Sequence, residues 1–133
     1  MASLENLPVQ WAGQQAVVTL PAEIDISNAG VVTDVLLSVL NRGVSMLVAD
    51  MTGTTFCSCA GVTTLIRAYQ RATANQTRLS VAATSPLVLR VLALTGVDYL
   101  VPVFDTVADA LAGAGGPASR PEEDEDPAAA PVS

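Results

Sequence analysis

Residues Val44–Met51 read VSMLVADM, a nearly continuous apolar run that follows Gly43 and ends beside Asp50. A run this short, bounded by turn residues, is the pattern of a strand buried on both faces. Such a strand needs a layer of structure above it and another below. A mostly parallel sheet covered by helices meets that demand. Thr52–Cys59 follow, rich in Thr, Ser and Cys, and a helix begins near Ser58–Ala60. Small polar residues between the carboxyl end of a strand and a helix sit where α/β folds tend to place their chemistry. The free N–H groups of that helix's first turn also favour an anion there.

The rest of the chain reads as strands alternating with helices. Pro8–Trp11 suggests an edge strand, Gly13-Gln14 a turn and Ala16–Pro21 a second strand, together a hairpin. Ser27 or Asn28 suits a helix N-cap, and Val31, Val32, Val35, Leu36, Val39 and Leu40 then recur at helical spacing up to Gly43, a C-cap candidate. In a second helix, over residues 60–75, Val62, Leu65, Ile66 and Tyr69 form the apolar stripe, with Thr64, Arg67, Gln70 and Arg71 opposite. Arg78–Ala83 is the next strand. Ser85-Pro86 opens a helix whose Leu87, Leu89, Val91, Leu92 and Leu94 are expected to be mostly buried, with Gly96 at its end. Leu100–Phe104 reads as a last short strand, and Thr106 caps a helix over residues 107–112. The expected fold is therefore α/β: one domain over residues 1–113, with a mostly parallel or mixed sheet of about five strands and about four helices. Residues 114–133, a Pro/Ala-rich acidic tail, have almost nothing to bury and are expected to be disordered.

Charge narrows the partners. The net charge is −7. Residues 114–133 contribute five acids and Arg120, a net of −4, and the remainder eight acids and five arginines, a net of −3. Neither part offers the basic patch that nucleic acid or an anionic membrane surface requires. No apolar run reaches the roughly 18 residues of a membrane span. The sequence MASLENLPVQ at the start lacks a secretory signal's positive charge and long apolar block, so a cytoplasmic location is expected.

Two cysteines, Cys57 and Cys59, and no histidine limit the chemistry. Two soft ligands one residue apart do not make a zinc site, so no metal and no cofactor are expected. Ser58 reads either as the N-cap of the second helix or as a phosphoacceptor. Cys59 reads either as a small packing residue or as a thiol whose anion the helix terminus favours. Cys57 is expected to point into the core beside Phe56. Asp25 and Asp50 sit near strand ends and read as loop caps. A nucleophile without a base does not make an enzyme, and the expectation is a binding module.

Several segments together resemble the STAS domain, the fold of anti-sigma factor antagonists and of sulfate-transporter tails. Leu20-Pro21-Ala22-Glu23-Ile24-Asp25 is similar to the family's G-E-L/I-D segment, and Val48-Ala49-Asp50-Met51 to its V-x-D-L strand. Phe56-Cys57-Ser58-Cys59-Ala60-Gly61 stands in the place of F-x-D-S-S-G. Leu-Thr-Gly-Val-Asp-Tyr-Leu, ending at Leu100, and Asp105–Leu111 resemble the segments after the third helix and at the closing helix. The resemblance spans about residues 8–112.

In that family the first Ser of D-S-S-G is phosphorylated by a partner kinase that is also an anti-sigma factor. Here the matching position is Cys59, the preceding Asp is Ser58, the second Ser is Ala60, and Gly61 is retained. The resemblance implies a bacterial, transcription-regulating protein that binds an anti-sigma factor or another serine-kinase-type regulator. Thr54, Thr55, Ser58, Cys59, Ala60, Gly61 and Thr64, with Glu23 and Asp25 of the loop after Pro21, are its expected contacts. Two alternatives stand beside it: a soluble STAS subunit of a lipid or anion transport complex, and a redox-responsive interaction module.

Overall fold

Strand β4 (Met46–Met51) lies at the centre of a five-stranded sheet. Its neighbours are β2 (Gln15–Thr19), with Leu47 beside Ala16, and β6 (Arg78–Ala83), with Leu47 beside Leu79. Both pairings are parallel. Strand β1 (Val9–Ala12) adds antiparallel to β2 through the turn at Gly13, and β7 (Val103–Phe104) adds parallel to β6. The order across the sheet is β1-β2-β4-β6-β7. The computed structural model describes residues 7–115.

The expected double burial of this strand holds. Leu47, Ala49 and Met51 face a large core, built with α1 (Ala29–Leu40), α2 (Cys59–Ala74) and α3 (Pro86–Thr95). Met46 and Val48 face a smaller one, closed by Ala110 of α5 (Val107–Gly115). Each fully buried aliphatic side chain contributes about 1.5–3 kcal/mol of transfer free energy, and the main core has more than twenty buried members. Most of the stability therefore lies on the α1–α2–α3 side.

The structure corrects several expectations. A second, two-stranded parallel sheet, β3 (Glu23–Ile24) with β5 (Phe56–Cys57), sits outside the main one. Two-residue strands carry no readable periodicity. Leu100, expected in the last strand, ends a short helix, α4 (Val97–Leu100), which makes five helices among the described residues where about four were expected. On α3 the buried side chains are Val88 and Leu92, one turn apart, whereas Leu87 and Leu94 are 49% and 77% exposed. An apolar helix covering the sheet on one side buries one stripe only. Asn41, not Gly43, caps α1; Gly43, at φ +84°, turns the chain toward β4. Helix α5 continues to Gly115, beyond Ala112, and the expected disorder of the tail from residue 116 onward lies outside the described residues.

Helix α2 ends in a Schellman arrangement. The Thr77 N–H donates to Ala72 O at 2.8 Å and the Gln76 N–H to Thr73 O at 3.2 Å. This geometry places Gln76 at φ +60°, a left-handed backbone that a side chain with a Cβ resists. Gln76 is exposed. Gln76→Gly is expected to raise stability by about 0.5–1 kcal/mol, the relief of that crowding less glycine's greater unfolded entropy. Thermal unfolding of the two proteins checks this: the midpoint should rise by roughly 2–6 °C, and a fall would refute it.

Candidate functional site

The carboxyl ends of β2 and β4 lead into two loops, residues 20–28 and 52–58, that close over this end of the sheet. Polar side chains shape both. Asp50 Oδ1 accepts from the Thr52 N–H at 3.0 Å and from its hydroxyl at 2.7 Å, which turns the chain as it leaves β4. Asp25 Oδ1 accepts in the same way from the Ser27 N–H at 2.9 Å and from the Ser27 hydroxyl. Each carboxylate is thus occupied by its own turn, as the loop-cap reading expects. Thr54 is fully buried and its hydroxyl donates to Pro21 O at 2.8 Å, while the Thr55 N–H donates to Ala22 O at 2.8 Å. These bonds hold the two loops side by side, so that Ile24 pairs with Cys57.

Asn28 sits at the start of α1 but does not cap that helix with its side chain. Its Oδ1 accepts from the Asp25 N–H at 3.0 Å and its Nδ2 donates to Glu23 O at 2.8 Å. The carboxamide therefore ties β3 to the helix that follows. Ser58 does cap α2: its Oγ accepts from the Ala60 N–H at 3.2 Å, with extended backbone at φ −83°. Cys59 is the first residue of α2 and is exposed. Cys57 is buried, and that burial, followed by the neighbouring Cys59, pushes its thiol up from the ordinary cysteine value.

Gly61 explains how α2 approaches so closely. A Cβ built on it would lie 2.6 Å from Cys57 Sγ and 2.9 Å from Ile24 Cγ2, distances real Cβ atoms do not show. One turn on, Thr64 is buried, in contrast to its expected place on the polar face. Its hydroxyl lies 2.8 Å from that of Thr33, and both reach Ala29 O, at 3.2 and 2.8 Å. A threonine reads as surface in a helical pattern, but here a second hydroxyl from α1 satisfies it in the core.

The nine expected contact residues thus divide. Thr54, Gly61 and Thr64 are buried and position the site, so they are corrected from contacts to supports. Glu23, Thr55 and Cys59 are exposed, and Asp25, Ser58 and Ala60 half-buried, around one turn. Two apolar side chains join them: Ile26, 88% exposed, which sequence reasoning missed, and Phe56, which was expected beside Cys57 in the core and is 42% exposed. The available signal was the pair of isoleucines around Asp25, of which a two-residue strand buries only one. An exposed surface of this make-up, acidic on the Glu23–Asp25 side and apolar at Ile26 and Phe56, suits contact with another protein.

Two measurements check this geometry. Gly61→Ala should cost about 1–3 kcal/mol by overpacking. Adding Cys57→Ala should recover part of that cost, because it removes the nearer clash; chemical denaturation that finds the two costs additive would refute the contact. The Asp25 carboxyl is held below its ordinary 3.8 by the Ser27 hydroxyl, then by the Ser27 N–H, with the Asn28 contact adding less. Its turn therefore favours the folded state above about pH 4 and loses that contribution as the pH falls through the lowered value. Ser27→Ala should raise the Asp25 titration midpoint toward the ordinary value, read by NMR against pH; an unchanged midpoint would show that the hydroxyl does not hold the carboxylate.

Comparison with known proteins agrees with the architecture. The family model of the STAS domain matches residues 7–110. No curated protein matches the chain in sequence. Among solved structures, an anti-sigma factor antagonist from Mycobacterium paratuberculosis is 25% identical, covering 84% of this chain and 94% of that one, with a TM-score of 0.77. An anti-sigma-factor antagonist (STAS) domain protein from Planctomyces limnophilus is 20% identical over 80% of this chain and 95% of its own, at a TM-score of 0.72. The anti-sigma factor antagonist SpoIIAA, in its unphosphorylated form, shares 16% identity over 85% and 99% of the two chains, at a TM-score of 0.71. With the family model covering most of the chain and the mostly parallel five-stranded sheet in place, this protein belongs to the STAS domain family.

Proposed function

We propose that this STAS domain is an anti-sigma factor antagonist: a cytoplasmic binding module, without catalytic activity of its own, that engages an anti-sigma factor of the serine-kinase type. The exposed surface Glu23, Ile26, Thr55, Phe56 and Cys59 makes the contact, and the first turn of α2 lies at its centre. The similarity to an antagonist at 25% identity supports the class of partner. The observation that carries the reading is the placement of Cys59, solvent-exposed at the head of α2, where the family's motif has its phosphorylated serine.

A thiol in that place changes the control. A kinase tuned to a hydroxyl does not phosphorylate it, and the neighbouring Ser58 hydroxyl is engaged by the Ala60 N–H. The antagonist is then either unswitched or switched by chemistry at the thiol. Its exposure favours the second: oxidation to a sulfenic acid or a mixed disulfide adds bulk at the centre of the contact. The helix terminus contributes only modestly to thiolate character, on the order of 0.3–1 kcal/mol.

Co-purification from the native cell tests the partner. A kinase-fold anti-sigma factor supports the reading, whereas a transport ATPase would replace it with a transport subunit. The purified pair then tests the site. N-Ethylmaleimide should label Cys59 and spare Cys57 in the folded protein, and labelling should weaken partner binding at least tenfold, about 1.4 kcal/mol. Cys59→Ser should bind as the parent does and ignore the reagent. Peroxide should mimic labelling and reductant should reverse it. Stoichiometric phosphate on Ser58 in the presence of the kinase and ATP would overturn the proposed loss of phospho-control.

A further inference from the structure

Helix α2 carries Arg67 and Arg71 and no acidic residue, in a chain of net charge −7. With Gln70, and with Leu37 of α1, they line a groove of about 250 Å³ between the two helices. Arg71 Nη1 donates to Asn41 Oδ1 at 2.7 Å, which fixes this half-buried guanidinium across the helix pair. That partner is neutral, so the bond leaves the charge uncompensated and other N–H donors of the fork unspent. Arg67 is exposed beside it. Two guanidiniums beside Gln70 and Leu37 suit carboxylates, which arginine binds in a bidentate fashion.

The chain carries the complementary charge. Glu122–Asp126 are five consecutive acids, beyond the described residues. Helix α5 ends at Gly115 on the far side of the sheet from α2. Glu122 lies seven residues past that point and Asp126 eleven, a reach of up to about 24 and 38 Å. A helix–sheet–helix stack is roughly 25–30 Å thick. The far end of the acidic run, at Asp126, therefore has the contour length to pass the edge of the sheet and come to the groove.

We propose that Glu122–Asp126 dock on their own chain, in the Arg67–Arg71 groove between α1 and α2. Cys59, Thr63, Arg67 and Gln70 follow one exposed strip of α2 at three- and four-residue spacing. A docked tail thus occupies the lower half of the helix whose first turn carries Cys59, and competes with any acidic segment of another protein that approaches there. The inference rests on the groove and the tail alone and does not depend on the identity of the partner.

The test uses the full chain, labelled with nitrogen-15. Backbone amides and arginine side-chain N–H groups are compared between the parent and a tail-neutralised variant, Glu122→Gln, Glu123→Gln, Asp124→Asn, Glu125→Gln and Asp126→Asn. The expected result is a set of shifts concentrated at Leu37, Asn41, Arg67, Gln70 and Arg71. The same resonances should move in the parent when salt is raised to about 1 M, where the screening length falls to about 3 Å, and stay still in the variant. Arg67→Glu should abolish the difference. A tenfold dilution should leave it unchanged. Groove resonances that are identical in parent and variant would overturn the proposal, as would shifts centred elsewhere. Shifts that fade on dilution would overturn it in favour of contact between copies. The five substitutions of the neutralised variant all lie beyond residue 115, so the comparison does not depend on the stability of a substituted groove.

Discussion

Burial of β4 on both faces is the constraint from which the rest of the molecule follows. A strand with Leu47 and Ala49 on one side and Met46 and Val48 on the other has no solvent face, so its polar business must be done at its ends. Parallel neighbours on both sides require crossover helices, and a crossover that follows β4 has to start at the carboxyl edge, where α2 begins. The two turns closed by the Asp25 and Asp50 carboxylates then finish that edge without a fully buried charge. The site is a product of the sheet's topology first and of its side chains second.

The two sides of the sheet are unequal. Helices α1, α2 and α3, with the short α4, lie on one side, and α5 alone covers the other, where Ala110 is the buried contact and a wide open groove remains between Leu111 and the β1–β2 hairpin. The hairpin's outer strand is held from the opposite side, where the Arg42 guanidinium lies over the Trp11 ring at 5.0 Å. The edge strand is thus kept by an aromatic contact with the end of α1 rather than by a second helical layer.

Most of the architecture was legible because long periodic segments announce themselves. The strand Val44–Met51, the helix after Asn28 and the strand Arg78–Ala83 all fall where their apolar spacing puts them. The Ser58 cap was legible for the same reason, since a serine before an apolar helical stripe has one favoured use. What escaped were features set by contacts distant in sequence. Thr54 and Thr64 look like surface residues until Pro21 and Thr33 supply their partners, both more than thirty residues away. Leu87 and Leu94 look like core until the single buried stripe of α3 is fixed by its neighbours. The strands β3 and β5 exist only through each other, so neither leaves a local signature.

Within the turn, packing and chemistry fall on different residues. Gly61 is pinned by Cys57 and Ile24, and Thr64 by Thr33, whereas Cys59 stands between them with its side chain in solvent. The turn is therefore built like a socket with an interchangeable terminal: a hydroxyl, a thiol or a carboxylate has room at that one position over the same frame. Substitution at that position alone changes the chemistry the turn presents and leaves the contacts beneath it in place.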